Sequence, residues 1–231
     1  DRAGDGLKHG NAYGSSPHGG VLVVAGDDHG CVSSSMSHQS DVAFLTFMMP
    51  HLNPASVAEY LEYGLYGIAL SRFSGMWVGF KAITETVESA MSFELPPYPQ
   101  FVIPADFEPP PGGLHYRWPD LPGLQIEERF EYKKAAALAF AAANPIDRKI
   151  FDVPGARFGI VTTGKGHLDL MDLPPLLGGG VKVLPPVLDP FDGLAQLQGS
   201  PCQDDFLGVV HHDLWAESTA DKGSDDADLV G

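Results

Sequence analysis

The densest group of side chains able to do chemistry follows the apolar run Val21–Ala25. It combines histidines and a glutamine with acids, serines and glycines: Gly26, Asp27, Asp28, His29, Gly30, Ser33, Ser34, Ser35, His38, Gln39, Ser40 and Asp41. Ligands of open α/β sheets bind beyond the carboxyl ends of strands, so this position predicts a binding crevice. A solvated turn, in which the same residue types serve backbone geometry and helix capping, is the competing interpretation.

We expect no metal site in this group. The oxygen and imidazole atoms of Asp27, Asp28, His29 and His38 suit several divalent ions, but adjacent residues on one turn cannot easily converge on one centre. Their spacing also matches no established metal-ligand motif. A metal-dependent hydrolase built on Asp27, Asp28 and His29 is an alternative hypothesis. It predicts that the protein retains zinc or manganese after dialysis.

A second motif lies near residue 160. The stretch Gly159–Lys165, GIVTTGK, has the letters of a phosphate-binding loop up to its lysine. The next position requires serine or threonine for magnesium but holds Gly166, and the first glycine falls inside a predicted strand. We therefore expect a strand end, a glycine-containing turn and a helix. The run Gly178–Gly180 lacks the flanking strand and helix of a dinucleotide fingerprint and predicts a turn.

Buried strands and helices must position these residues. Runs without polar alternation, typical of parallel strands covered on both faces, are Val21–Ala25, Met76–Phe80 and Phe158–Val161, with weaker candidates at Phe101–Ile103 and Val181–Leu184. Helices are predicted over Pro54–Arg72, with Asn53 as the N-cap, and over Gln125–Ala143, while Val42–Met48 is ambiguous between helix and strand. This alternation predicts an α/β fold, a parallel sheet with flanking helices.

Three segments are expected along the chain. Residues 1–150 form a first α/β domain, whose proline-rich connection at 95–123 is too interrupted to be a core layer. A second α/β domain starts within residues 151–200. Residues 201–231 form a tail that we expect to be disordered, because residues 217–231 hold five acids, one lysine and almost nothing apolar.

Composition excludes several function classes. The 231 residues carry 14 lysines and arginines against 30 acids, a net charge of −16 that repels nucleic-acid phosphates and anionic lipid. Cys31 and Cys202 are too few for an iron–sulfur cluster or a secreted disulfide framework, which favours a reducing, cytoplasmic location. No apolar run has the length of a membrane span. Because the chain opens at Asp1 without an initiator methionine, we expect it to be part of a longer protein.

The chain resembles one enzyme family over three segments in the same order: DRAGDGLKHGNAYGSSPHGGVLVVAGDDHGCVSSSMSHQSD, EYGLYGIALSRFSGMWVGFKAITETVES and PADFEPPPGGLHYRWPD. The family is that of the large fused indolepyruvate ferredoxin oxidoreductases, in the thiamine-diphosphate-dependent 2-oxoacid ferredoxin oxidoreductase superfamily. The resemblance continues through KKAAALAFAAAN and ARFGIVTTGKGHLD, so it covers Asp1 to about Asp169. It decays beyond that point.

The resemblance implies that residues 1–150 are a partial pyrimidine-type thiamine-diphosphate domain and that residues 151–200 start a transketolase-C-terminal-like domain. Such enzymes oxidatively decarboxylate 2-oxoacids, aryl pyruvates such as indolepyruvate in this family, to acyl-coenzyme A. Electrons pass through iron–sulfur clusters to ferredoxin. The loop after the first strand would then surround cofactor or substrate with Gly26, Asp27, Asp28, His29, Ser33, Ser34, His38 and Gln39.

Several parts of the family pattern have no counterpart in these residues. The glutamate that bonds the pyrimidine, the domain that holds the diphosphate through magnesium and the iron–sulfur cysteines are expected elsewhere in a homo-oligomeric parent enzyme. The chain alone is therefore expected to be inactive. The choice among aryl pyruvates, pyruvate and branched 2-oxoacids stays open.

An interaction module without catalysis is the alternative of a different class. In this hypothesis the proline-rich connection contacts a partner protein through aromatic anchors, namely Tyr98, Phe101, Phe107, Tyr116 and Trp118. A reading frame that continues into a second thiamine domain favours the enzyme. A start codon before Asp1 together with a stop codon after Gly231 favours the module.

Overall fold

The computed structural model describes residues 3–121, 123–150, 158–172 and 181–184. Helices and strands alternate along these residues, with one short 3-10 turn at Trp118–Asp120. The helices are α1 (Gly4–Tyr13), α2 (Asp41–Thr46), α3 (Val57–Ser74), α4 (Thr84–Val87), α5 (Gln125–Ala143) and α6 (Lys165–Asp172). The strands are β1 (Leu22–Asp27), β2 (His51–Leu52), β3 (Val78–Ile83), β4 (Phe158–Val161) and β5 (Val181–Leu184).

The strands form parallel sheets, as the sequence predicts. Within the described residues, β1, β3 and β2 pair in that order, with Ala25 opposite Lys81 and Leu52 opposite Phe80. A second pair, β4 and β5, is also parallel. Every residue of the central strand β3 is buried, which explains why its sequence lacks polar alternation. The prediction of an α/β fold with a parallel sheet and flanking helices is confirmed.

The core is formed by α3, which packs on the first sheet, and by α5, which packs on α3. α3 approaches the sheet closely at Gly67, where an added methyl group would lie 2.6 Å from a side-chain carbon of Leu22. Phe140 on α5 is fully buried, with its ring centroid 5.4 Å from that of Tyr66 and 5.7 Å from that of Phe73. Offset and edge-on ring contacts of this kind add to the burial of apolar area, so they anchor α5 against α3.

The predicted strands are recovered with one exception. β1 and β3 begin one or two residues later and end two or three residues later than the predicted Val21–Ala25 and Met76–Phe80, and β4 and β5 have the predicted bounds. The prediction of a strand at Phe101–Ile103 is wrong, because that segment is irregular. The backbone N–H and C=O of Val102 bond the side-chain amide of Asn144 at 2.7 and 2.8 Å, so they need no sheet partner.

The helix predictions hold, but one N-terminus is displaced. α3 begins at Val57 instead of Pro54, and its cap is Ser56 instead of Asn53. The Ser56 hydroxyl accepts from the Glu59 N–H at 3.4 Å, and the Glu59 carboxylate accepts from the Ala55 N–H at 2.6 Å, which resembles a capping box. α5 has the predicted bounds, and the ambiguous run after Asp41 is the helix α2. Helices α1 and α4 and the short strand β2 were not predicted.

The proline-rich connection runs without a helix or strand over residues 88–117. Two of its aromatic side chains pack inward, since the ring of Phe107 lies 5.9 Å from that of Phe73 and the ring of Phe101 lies 5.9 Å from that of Tyr66. No helix among the described residues combines the length and the apolar character that a membrane span requires. The predicted tail at 201–231 and the turn at Gly178–Gly180 lie outside the described residues.

Candidate functional site

A buried cluster of charges lies at the carboxyl end of the first sheet. Lys81 is 4% exposed, and Asp27 and Asp41 are 3% and 5% exposed. The Lys81 Nζ lies 2.5 Å from Asp41 Oδ2 and 3.5 Å from Asp27 Oδ2. Charges this deep require partners, and each member of the cluster supplies the counter-charge of another.

The fold brings these three residues together from separate elements. Asp27 ends β1, Lys81 lies inside the neighbouring strand β3, and Asp41 begins α2. The Ser40 backbone N–H and hydroxyl both donate to Asp27 Oδ2, at 3.0 and 2.9 Å. Lys81 and Ser40 thus fasten both ends of the loop that joins β1 to α2, residues 28–40.

His51 lies behind this cluster, at the start of β2. Its Nε2 is 3.6 Å from Asp41 Oδ1, and its ring stacks on Phe44 with centroids 5.5 Å apart. Burial opposes ionisation of Asp41, but the contacts with His51 and Lys81 outweigh it and hold the pKa of this carboxyl well below its ordinary value. Asp41 is therefore a carboxylate at neutral pH.

Asp28 has a different task from its neighbour Asp27. Its carboxylate accepts the backbone N–H groups of Val32, Ser33 and Ser34 at 2.8, 2.7 and 2.9 Å. These donors, that of Ser33 first, favour the charged form and lower the pKa of Asp28 to about 2. Asp28 therefore stabilises the conformation of the first half of the loop through hydrogen bonds within the loop.

A crevice of about 300 Å³ opens where the first sheet ends. Its wall combines residues from several elements: His29 and Gln39 from the loop after β1, Asn53 after β2, Lys81 and Ile83 of β3, Glu85 of α4, Thr163 from the turn between β4 and α6, and Lys165, Gly166 and Asp169 of α6. The imidazole of His29 is 42% exposed, with its Nε2 3.8 Å from Asp27 Oδ2. Polar groups from several elements thus converge on one concave surface.

The structure separates the residues that the sequence singles out into three groups. His29 and Gln39 line the crevice, and Asp27 lies behind it as a partner of Lys81. The others serve the loop or lie on its surface: Ser33 and Ser34 both donate their N–H to the Asp28 carboxylate, the His38 N–H donates to Asp28 O at 3.2 Å, and Gly26 is exposed in β1.

Sequence reasoning missed Lys81, His51 and Asn53 as residues of the site, and it placed Asp41 in the polar group without identifying Lys81 as its partner. Asn53 lines the crevice, and its Oδ1 is buried without a hydrogen-bond partner among the described residues. One signal could have identified Lys81, because it is the single charge within the apolar run MWVGFKAI. A lone lysine in a strand covered on both faces requires a buried counter-ion.

The remaining motifs have structural explanations. β4 ends at Val161, Gly164 has a φ of +56°, and α6 begins at Lys165, so the predicted order of strand, glycine turn and helix is confirmed. The Lys165 ammonium bonds the Asp169 carboxylate on the same helix. In the part of the chain that the structure describes, no three His, Cys, Asp or Glu side chains are grouped as metal ligands.

Comparison with known proteins assigns no family to this fold. No family model, curated protein or solved structure matches the chain. The function of the crevice must therefore be argued from its residues and from the resemblance in sequence.

Proposed function

We propose that the chain is part of a cytoplasmic thiamine-diphosphate-dependent 2-oxoacid ferredoxin oxidoreductase that acts on aryl pyruvates such as indolepyruvate. Residues 1–150 would be a partial pyrimidine-type domain, and residues 151–200 would begin a transketolase-C-terminal-like domain. The parent enzyme would convert a 2-oxoacid and coenzyme A to acyl-coenzyme A and carbon dioxide, with two electrons passing through iron–sulfur clusters to ferredoxin. The observation that carries the proposal is the polar crevice at the carboxyl ends of β1, β2 and β3.

The position of the crevice supports this assignment. Parallel α/β sheets bind ligands beyond the carboxyl ends of their strands. The loop of residues 28–40 begins and ends beside the crevice, and contributes His29 and Gln39 to its wall. Lys81 is paired with Asp27 and Asp41, which flank that loop, so both ends of the loop are held in place. His29 and Gln39 lie next to these ends, and their positions in the crevice wall are therefore fixed as well.

The crevice residues fit a polar ring of the cofactor. His29 and Gln39 offer hydrogen-bonding groups, and the buried Oδ1 of Asn53 is an acceptor without a partner among the described residues. Thiamine diphosphate, when bound, supplies the nucleophilic carbon that attacks the 2-oxo group. The residues of this chain would bind and orient that ring, while other parts of the enzyme hold the diphosphate and magnesium.

This division of the site predicts that the chain alone is inactive. The first test is the flanking DNA, which should encode a continuing frame with a second thiamine domain and iron–sulfur cysteines. The encoded protein should then reduce a viologen dye when supplied with indolepyruvate, coenzyme A, thiamine diphosphate and magnesium. Robust turnover by the 231-residue chain alone would refute the division, and no turnover by the continuing protein with any 2-oxoacid would refute the assignment.

Substitutions in the continuing protein test the role of the crevice. His29→Ala and Gln39→Ala should each lower kcat/KM by about tenfold or more, because each removes a hydrogen-bonding group from the crevice wall. The matched controls His18→Ala and Gln100→Ala change exposed residues outside the crevice wall and should stay within about twofold. Equal losses in the controls would sink the assignment of the crevice.

The interaction module has one observation in its favour. Tyr98 and Trp118 are 70% and 73% exposed on the proline-rich connection, and Leu95 on the same connection is 75% exposed. Phe101 and Phe107 pack into the fold and leave the set of anchors. A gene that starts just before Asp1 and stops just after Gly231 would favour this second candidate over the oxidoreductase.

A further inference from the structure

We propose that Lys81 and Asn53 form a binding site for a neutral ring ligand that presents a hydrogen-bond acceptor beside an N–H donor, as the edge of a lactam does. The site lies within the crevice of about 300 Å³. Binding of such a ring by the 231-residue chain can be measured without the 2-oxoacid reaction.

The Lys81 ammonium has donor capacity that the described residues do not use. A lysine ammonium carries three N–H donors. In the described residues the Lys81 ammonium makes one hydrogen bond, to Asp41 Oδ2 at 2.5 Å, and a longer ion pair with Asp27. Because Lys81 is 4% exposed, bulk water has little access to the remaining donors. The crevice that Lys81 lines is the space from which a ligand acceptor can reach them.

Asn53 places an unsatisfied acceptor at the same crevice. Its Oδ1 is buried without a hydrogen-bond partner in the part of the chain that the structure describes. Asn53 lines the same crevice as Lys81. A buried acceptor of this kind is satisfied when a ligand supplies an N–H.

The register of the sheet brings Asn53 and Lys81 next to each other along the backbone. β2 and β3 are parallel, and Leu52 is paired with Phe80. Asn53 directly follows β2, and Lys81 is the residue after Phe80 in β3. Neighbouring strands lie about 4.8 Å apart. A lactam edge carries its C=O and N–H side by side, so one ring can bond both residues at once.

The charge of the crevice argues against an anionic ligand. Two buried carboxylates, Asp27 and Asp41, already face the single ammonium of Lys81. Glu85 adds a further negative charge to the wall, and the second lysine of the wall is bound to a carboxylate on its own helix. A carboxylate or phosphate would therefore enter against a surplus of negative charge, whereas a neutral ring would not.

Uracil is a suitable probe, since it is a neutral ring with adjacent C=O and N–H groups. Its matched control is 1,3-dimethyluracil, which keeps the ring and both carbonyls but lacks the N–H donors. Titrations of the full chain would be followed by the backbone amide signals of the crevice residues in two-dimensional NMR. We expect saturable shifts with uracil, binding of 1,3-dimethyluracil weaker by about tenfold or more, and no saturable shifts with pyruvate or inorganic phosphate.

Two variants assign the binding to the proposed pair. Asn53→Leu and Lys81→Met should each weaken uracil binding by about tenfold or more. The control Gln100→Leu, outside the crevice wall, should leave it unchanged. If Lys81→Met does not fold, uracil binding by Asn53→Leu alone tests the proposed pair, because this variant leaves the ion cluster intact. Equal binding of the two uracils, tighter binding of pyruvate, wild-type affinity of Asn53→Leu, or no saturable binding of uracil would each overturn the proposal.

Discussion

Replacing Lys81 by methionine should lower the free energy of unfolding by about 3–5 kcal/mol at pH 7, the cost of breaking a buried ion pair. Methionine has a similar length but no charge. The lysine ammonium lies 2.5 Å from Asp41 and 3.5 Å from Asp27, and all three residues are at most 5% exposed. Its removal leaves two carboxylates of the same sign buried without their common counter-ion.

This loss is large beside the total stability of a domain, which is about 5–15 kcal/mol. Adding Asp41→Asn to Lys81→Met should recover part of it, because one of the two uncompensated charges disappears. The double variant should therefore be more stable than the sum of the single effects by about 1–3 kcal/mol, as coupled neighbours are. The cycle measures the interaction itself, apart from any loss of packing.

The contribution of Asp41 to the free energy of unfolding should depend on pH in opposite directions in the wild type and in Lys81→Met. In the wild type the pKa of Asp41 lies below its ordinary value, so this carboxylate adds stability above about pH 4 that is lost as the pH falls. In Lys81→Met the counter-charge is gone, and burial should raise the pKa of Asp41 above that of the unfolded chain. A group with a raised pKa gains stability on acidification, so the variant should become more stable from pH 7 to pH 5.

Urea unfolding followed by far-ultraviolet circular dichroism at pH 5, 6 and 7 measures these effects. The control is Lys8→Met, an exposed position on α1, which should change the free energy of unfolding by no more than about 0.5 kcal/mol. The reasoning would be refuted if Lys81→Met cost less than about 1 kcal/mol, or if its free energy of unfolding rose no more from pH 7 to pH 5 than that of the wild type.

Three further predictions concern the frame around the site. Burial lowers the pKa of Lys133 to about 8, so the free energy of unfolding should rise from about pH 8 to pH 10.5, by up to about 3 kcal/mol, and this rise should be absent from the urea unfolding of Lys133→Met. Gly75→Ala should cost at least about 1 kcal/mol, because φ is +78° and the added methyl group would lie 2.6 Å from Leu114 O. The helical control Gly6→Ala, with open space around it, should instead stabilise by about 0.5–1 kcal/mol in the same assay. Phe140→Ala should cost about 3–5 kcal/mol in thermal unfolding, since its ring is fully buried.

Elements with local signals could be predicted from the sequence, and elements that depend on distant contacts could not. α5 begins with acids and continues through an alanine-rich run, so propensity alone identifies it. α1 contains three glycines and has no such signal. Its Asn11 bonds the carbonyls of Phe47 and Met48 and accepts the N–H of Trp77, so contacts made by distant residues hold this helix in place.

The same distinction applies to the site. The polar loop after β1 is contiguous in sequence, and its position at a strand end is sufficient to predict a crevice. Lys81 and Asp41 are 40 residues apart, and only the pairing of β1 with β3 brings them together. Asp27 and Asp28 are identical neighbours, yet one bonds Lys81 and the other bonds loop amides. No property of the sequence distinguishes their roles, because the direction of each side chain is set by the end of β1.

The buried charges indicate why this end of the sheet is built as it is. Well-packed apolar residues can stabilise a fold as well as a buried ion cluster does, so stability alone gives weak reason for Lys81, Asp27 and Asp41. Their arrangement has a second effect, which is to hold both ends of residues 28–40 against β3. His29 and Gln39 lie next to those two ends and line the crevice. The charged cluster therefore acts by fixing the wall of the crevice, and its loss should disturb this wall before it disturbs the hydrophobic core around Phe140.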